Sequence, residues 1–425
     1  MKYFLRGISA CLLTLSADLS YAYPVDGYPE TGIRRLEYYR LGDAGLIKGK
    51  KLYEGARLLT PAVMPRLLDT QQTTVKLPNV DRQLSAKLGK LIPSQPSRYS
   101  ISLLDLSDPD KPLYAEHNPG FRDNVGSVGK MLVAVALFAK LRDIYPDDTD
   151  KRQAILKDTR VVADSFSLRD SHTVRFWNVE KRTLRRAPLR PGDSGNLYEY
   201  LDWMLSPSSN SAAAMVQREL VLMSHFGKRY PAPNSESAAY LKNTPKKQLG
   251  EVFLNAMNAP LIELGIDTSK LRQGSFFTRT GKQRIPGTSS YGTSRELMKL
   301  LYLMEAGQLV DQFSSIEIKR LMYLTERRIR YASHPNMYGD AIYFKSGSLY
   351  SCVKEAGFSC GKYKGNKRNL LASLAIVESP AKQRKYHYLV VVQSNVLRVN
   401  SAVAHQTLAA RVAKLVAAQH PDKTP

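Results

Sequence analysis

The stretch that most constrains this chain is Asn124-Val125-Gly126-Ser127-Val128-Gly129-Lys130, running on into the apolar segment Met131-Leu132-Val133-Ala134-Val135-Ala136-Leu137-Phe138-Ala139. The spacing predicts a small-residue turn that delivers Ser127 to the first turn of an apolar helix. Lys130 follows three residues later on the same helical face. A hydroxyl with an amine one turn away is a nucleophile with a built-in base. The free N–H groups and positive dipole end of a helix N-terminus also favour an alkoxide or oxyanion nearby.

A length of 425 residues with 43% apolar content is ample for a core, so disorder is not the default reading. The formal charge of +24, from 62 Lys+Arg against 38 Asp+Glu, would suit nucleic acid, but the N-terminus argues for another compartment. Residues 1–22 read as a secretory signal, with Lys2 and Arg6, an apolar stretch around Ile8 to Leu15, and Ser20-Tyr21-Ala22 as a cleavage site. That apolar stretch is too short for a membrane span. Ile8-Ser9-Ala10-Cys11 also fits a lipoprotein cleavage box, although hardly any apolar run precedes it. The expected location is therefore secreted or periplasmic, where a basic protein meets lipid head groups, anionic envelope polymers and peptide carboxylates rather than nucleic acid. Basic runs at Lys181–Arg186, Glu326–Arg330 and Lys362–Arg368 read as solvated faces or loops. Once Cys11 leaves with the signal, only Cys352 and Cys360 remain, which fits either a disulfide or two buried thiols. The scattered histidines give no metal-ligand spacing, so neither a metal nor another cofactor is expected.

In chain order, residues 23–77 form a basic, Tyr-, Arg- and Pro-rich extension with one helical piece at Gly32–Leu41 and no nameable chemistry. Residues 78–425 read as one domain. Leu84, Leu88 and Leu91 recur at helical spacing; Tyr99–Leu106 and Leu113–Ala115 then form a hairpin leading into Ser127. Residues 143–193 are polar and broken by Pro146, Pro188 and Pro191. A helical middle section continues to about Ala306, including a Thr293/Ser294-capped run. Strands return at Ala341–Ser348, Leu370–Glu378 and Tyr386–Ser394, and Ser401–Ala417 closes as an amphipathic helix. The expected fold class is α+β: an antiparallel sheet flanked by helices plus an all-helical subdomain.

Ser-x-x-Lys occurs at Ser127/Lys130, Ser351/Lys354, Ser359/Lys362 and Ser379/Lys382, so the spacing alone decides nothing. Only the Ser127 copy opens a long apolar helix and is followed by Ser-x-Asn and Lys-Ser-Gly. For Ser-x-Asn, Ser194-Gly195-Asn196 is explained by capping of the Leu197 helix. Ser208-Ser209-Asn210 lies in a turn between helices, where side chains can enter a cleft. For the third element, Lys345-Ser346-Gly347 sits in a strand behind Ile342 and Phe344, whereas Arg279-Thr280-Gly281 is a weaker imitation in a polar loop. A glycine there lets a substrate strand approach the backbone.

These three elements, in this order and context, resemble the active-site serine family of penicillin-binding proteins and serine β-lactamases. The layout is most similar to the class A β-lactamase type, over roughly Asp81 to the C-terminus. The resemblance implies that Ser127 forms an acyl-enzyme, that a neutral Lys130 is its base, and that Ser208 relays a proton to the leaving nitrogen. Asn210 would hold the substrate amide, Lys345 and Ser346 its carboxylate, with Gly347 beside them. The backbone N–H groups of Ser127 and Ser348 would form the oxyanion hole. Class A enzymes also use a glutamate on a loop after the middle helices to activate the deacylating water. In the matching segment, Leu264–Ser275, no acid follows Leu271; Glu263 and Asp267 read as helix residues placed too early. The expected activity is an exported serine hydrolase cleaving an amide, a β-lactam or a cell-wall peptide, through an acyl-serine. A D-alanyl-D-alanine carboxypeptidase-like enzyme or esterase is the alternative within that chemistry. A non-catalytic protein binding anionic envelope polymers is the alternative outside it.

Overall fold

The computed structural model describes residues 25–49, 51–68, 76–323 and 328–423; the signal sequence expected at 1–22 lies outside them. The extension opens with α1 (Tyr28–Thr31) and α2 (Arg34–Asp43), and α3 (Arg82–Lys90) follows, capped by the Asp81 side chain on Leu84 N. The hairpin β1 (Tyr99–Asp105) and β2 (Leu113–His117) leads through the short turn Gly126–Val128 into α4 (Gly129–Ile144). Next come α5 (Thr149–Asp158), β3 (Arg160–Val162), the hairpin β4 (Thr173–Asn178) and β5 (Thr183–Pro188), and β6 (Ser194–Asn196). The helices α6 (Leu197–Leu205), α7 (Asn210–Phe226), α8 (Asn234–Asn243), α9 (Lys246–Glu263), α10 (Arg279–Arg284), α11 (Ser294–Glu305) and α12 (Gln312–Tyr323) then run to the last strands. These are β7 (Ala341–Ser351), β8 (Arg368–Ser379) and β9 (Tyr386–Asn395), followed by α13 (Ser401–Ala417).

The first and last strands close one antiparallel sheet in the order β2-β1-β9-β8-β7, as the strand, helix, strand, helix order predicts. The period-two alternation of strands splits its side chains between two cores. Ala341, Tyr343, Leu374, Ile376, Leu389 and Val391 pack with α4, α6, α7, α11 and α12. Ile342, Phe344, Val377, Tyr388, Val390 and Val392 pack with α3 and α13. Strand β7 is the outer strand on its side, so its edge is open for a cleft. Helix α4 is apolar on almost every side and is buried accordingly, from Gly129 through Ala139.

The helical subdomain also carries two short sheets, β3–β6 and β4–β5, with β3, β4 and β5 in the stretch 143–193 read from sequence as polar and broken. The basic run Lys181–Arg186 supplies the turn and most of exposed β5. Arg279-Thr280-Gly281 opens α10 rather than lying in a loop, with Thr278 as its cap. Asn196 caps α6 by accepting from Glu199 N, and Thr293 caps α11, both as expected. Cys352 and Cys360 form a disulfide, which decides between the two readings of that pair.

The extension is joined to the body by buried charge. Arg35 pairs with Asp202 of α6, both essentially without solvent exposure, and Arg34 pairs with Glu199 of the same helix. Arg66 donates to Glu378 of β8 at 2.7 Å. Glu305, Glu378 and His387 form the single cluster of metal-ligand type among the described residues. Lys319 Nζ already stands 2.6 Å from Glu305 and 2.9 Å from Glu378, so a cationic side chain fills the position an ion would take.

Candidate active site

Ser127 sits in the turn that launches α4. That turn is tight because Gly126 adopts a left-handed φ of 56° and donates its N–H to Asn124 Oδ1. One turn on, Lys130 is wholly buried, with Nζ 3.1 Å from Ser127 Oγ. It also donates to Asn210 Oδ1 at 2.8 Å and to the Ser208 carbonyl at 2.6 Å, and lies 3.3 Å from Ser208 Oγ. Ser208 is held in the left-handed region at φ 65°, a conformation a non-glycine residue adopts at a cost. Lys345 Nζ, on β7, donates to the same Ser208 Oγ at 2.8 Å. Five polar residues read from three distant pieces of sequence are therefore linked through the Lys130 amine and the Ser208 hydroxyl.

Burial lowers both lysines, since a buried ammonium loses its hydration. Lys130 falls to about 7, with the charge of Asp170 opposing the shift. Lys345 falls well below the ordinary lysine value through burial, with Lys130 and Arg330 adding repulsion. Lys130 Nζ also lies 4.9 Å from the centre of the Phe277 ring, which helps to keep it dry.

Strand β7 passes close behind the serine. A Cβ added at Gly347 would collide with Ser127 N and Val125 O, and one added at Gly126 would meet Ser348 N at 3.2 Å. Only glycine at 347 permits this approach, which sets β7 at Gly347–Ser348 directly against the Val125–Ser127 turn. Alternation along β7 turns Lys345 toward the helical subdomain and Ser346 and Ser348 the other way.

Several residues in or behind the walls of the cleft have no sequence signal. Arg330, read as part of a solvated basic run, donates to Ser346 Oγ at 2.7 Å, Ser348 Oγ at 2.9 Å and Tyr363 OH at 3.1 Å. Asp170, from the stretch that reads as polar and broken, accepts from Ser209 Oγ, Asn210 N and Ser211 N and so holds the start of α7. Burial pushes the Asp170 carboxyl up, but His172 and these N–H groups pull it well below the usual carboxylate range. Gln217 of α7 fixes the wall of the cleft by accepting from Phe277 N and donating to Ser275 O. Nothing in the spacing of these residues ties them to Ser127; they become neighbours only through the fold.

A cleft of about 440 Å³ is lined by Ser127, Ser208, Asn210, Arg330, Lys345, Ser346, Gly347 and Ser348, with Asp170 and Gln217 behind its walls. Among the described residues, no aspartate or glutamate lines it. Glu263 ends α9 and pairs with Arg142 at the surface. Asp267 lies in the turn after α9, not in a helix as read from sequence, and accepts from Ser269 N. Gln273, in the lining of the cleft, packs against Gly129 and donates to Ser275 O.

Solved structures share this architecture. TLA-3 extended-spectrum β-lactamase superposes with a TM-score of 0.51 at 12% identity, over 79% of this chain and 98% of that one. TLA-1 extended-spectrum β-lactamase does so with a TM-score of 0.50 at 13% identity, over 79% and 98%. The fold is that of the class A β-lactamases. At such identity the likeness extends to the β-lactamase fold and not to an activity. No protein-family model matches the chain, and no curated protein sequence matches it. Among the described residues no helix is long and apolar enough to cross a membrane.

Proposed function

We propose that this chain is an exported serine acyl-hydrolase that opens an amide or ester through an acyl-Ser127 intermediate. The observation that carries the reading is a buried lysine, lowered to about 7, whose Nζ lies 3.1 Å from the Ser127 hydroxyl. A serine hydroxyl is inert at neutral pH without such a base. Lys130, in its neutral form, takes the Ser127 proton as Oγ attacks the carbonyl carbon. The N–H groups of Ser127 and Ser348 receive the developing oxyanion. Ser208 Oγ, within reach of both lysines, passes the proton to the leaving nitrogen as the amide bond breaks. Asn210 orients the acyl part, while Lys345 and Ser346 hold the substrate carboxylate.

Among the described residues, the lining of the cleft holds no carboxylate base for deacylation. Activation of the incoming water then falls to Lys130 again, the group that has just handed its proton away through Ser208. This favours a slowly released acyl-enzyme over a fast β-lactamase, and a cell-wall peptide of the D-alanyl-D-alanine type over a β-lactam as the working substrate. A fluorescent penicillin tests the first half: the wild type gains one covalent label on Ser127 and Ser127→Ala gains none. The rate at which that label leaves tests the second half, and release within seconds would overturn the slow step.

A further inference from the structure

The cleft is lined by Lys282, Arg330, Lys345 and Lys362 and, among the described residues, by no acidic side chain. A single substrate carboxylate leaves most of that charge unmatched. The excess is concentrated where the disulfide-closed loop meets the cleft. Arg330 is held at a left-handed φ of 55°, and among the described residues its guanidinium bonds three hydroxyls and its Nε is buried without a partner. Its guanidinium lies 4.8 Å from the Tyr363 ring centre, and Lys362 Nζ lies 5.2 Å from it. Burial alone would raise the Tyr363 phenol, yet Arg330 and Lys362 bring it below the ordinary tyrosine value.

This arrangement is built rather than incidental. From Cys352 to Arg368 the loop has one acid, Glu355, against five basic residues. Glu355 is engaged by Arg398 at 2.9 Å and by Asn366 at 2.7 Å. The Asn366 side chain also clamps both backbone groups of Val353. The Tyr363 carbonyl accepts from Ser401 N and Asn369 Nδ2, which fixes the loop tip on α13 and β8. Two cations are thus presented at the cleft with their counter-charge removed.

We propose that the cleft selects amides or esters whose leaving portion carries two carboxylates, the second held by Arg330 and Lys362. The inference rests on the acyl-Ser127 reading, because Ser208 and Lys345 define which end of the cleft takes the leaving portion.

Two thioesters with one acyl group test it, one of mercaptoacetate and one of mercaptosuccinate, followed by thiol release, with penicillin labelling as a separate readout of acylation. The mercaptosuccinate ester is expected to acylate the wild type at least about fivefold faster in kcat/KM at low salt, with the ratio shrinking as salt is added. The ratio falls toward one in Lys362→Gln and below one in Lys362→Glu. It holds in Lys367→Gln, which removes the same charge from the same loop away from the cleft. Equal rates in the wild type overturn the inference and leave the acyl-enzyme reading standing, as does penicillin labelling with neither thioester cleaved. No acylation by any of the three overturns both.

Discussion

Lys130 and Lys345 converge on the hydroxyl of Ser208, at 3.3 Å and 2.8 Å. Two ammonium groups cannot both stay charged around one small, dry hydroxyl, and each is lowered by burial. The consequence is a proton path whose direction depends on which lysine carries the charge.

Acylation should therefore follow the neutral form of Lys130. Its folded value is lowered to about 7, so the base form dominates above that pH and is lost below it. The acylation rate by a labelled penicillin is expected to rise through pH 7 and level off above it, falling about tenfold for each unit below. Lys130→Arg, which keeps the charge and cannot release it, should cost roughly a hundredfold or more at pH 8. A flat profile between pH 5 and 9 would rule out a lysine base.

The close approach of β7 to Ser127 gives a second expectation. Gly347→Ala places a methyl group against Ser127 N and Val125 O, both backbone atoms that cannot swing aside. The strand must retreat, separating the N–H groups of Ser127 and Ser348. Acylation should fall by about a hundredfold or more, the cost of losing one oxyanion donor. Circular dichroism and the melting temperature, measured alongside, separate this from unfolding. An acylation rate within threefold of wild type would show that the two N–H groups do not act together.

Asp170 ties the Ser209–Ser211 turn to the core of the subdomain. Its carboxyl is lowered in the folded state, so it stabilises the protein above the ordinary aspartate range, and that contribution is lost as pH falls through the depressed folded value. Asp170→Ala should accordingly cost stability at pH 7, by about 2 kcal/mol or more for a buried, multiply bonded acceptor, and progressively less in acid. Urea unfolding at pH 7 and pH 3 measures the difference. An equal cost at both would mean that charge is not what the turn uses.

The parts of this molecule legible from sequence are those whose signal is local. The apolar run after Lys130 could only be a buried helix, and β7, β8 and β9 alternate or run apolar over most of their length. Ser127, Ser208 and Lys345 were singled out because each stood in a turn, helix start or strand that the decoys lacked. What was missed depends on contacts far apart in the chain. Helix α5 has little amphipathic pattern, because its buried Arg152 is satisfied by Asp311 and two backbone carbonyls rather than by apolar neighbours. Arg330 and Lys362 look like ordinary surface charge until β7 and the disulfide loop bring them to the cleft. Asp170 has no motif, since any acceptor reaching the α7 terminus would serve.

The extension supplies the last expectation. Arg35 is buried against Asp202, and α6 runs from that pair directly into Ser206, Pro207 and Ser208. Removing the guanidinium leaves a charged carboxylate with no solvent, so Arg35→Met should destabilise the protein by about 3–5 kcal/mol. Removing both charges should cost far less, because the desolvation of Asp202 goes with its partner. Arg35→Met combined with Asp202→Leu is therefore expected to recover most of the lost stability in a double-mutant cycle. Because Ser206 N bonds to the Asp202 carbonyl and Ser209 N to that of Trp203, the single variant should also slow acylation while it is still folded, and the double variant should restore it. A single variant as stable as wild type would show that the extension is carried by the body without supporting it.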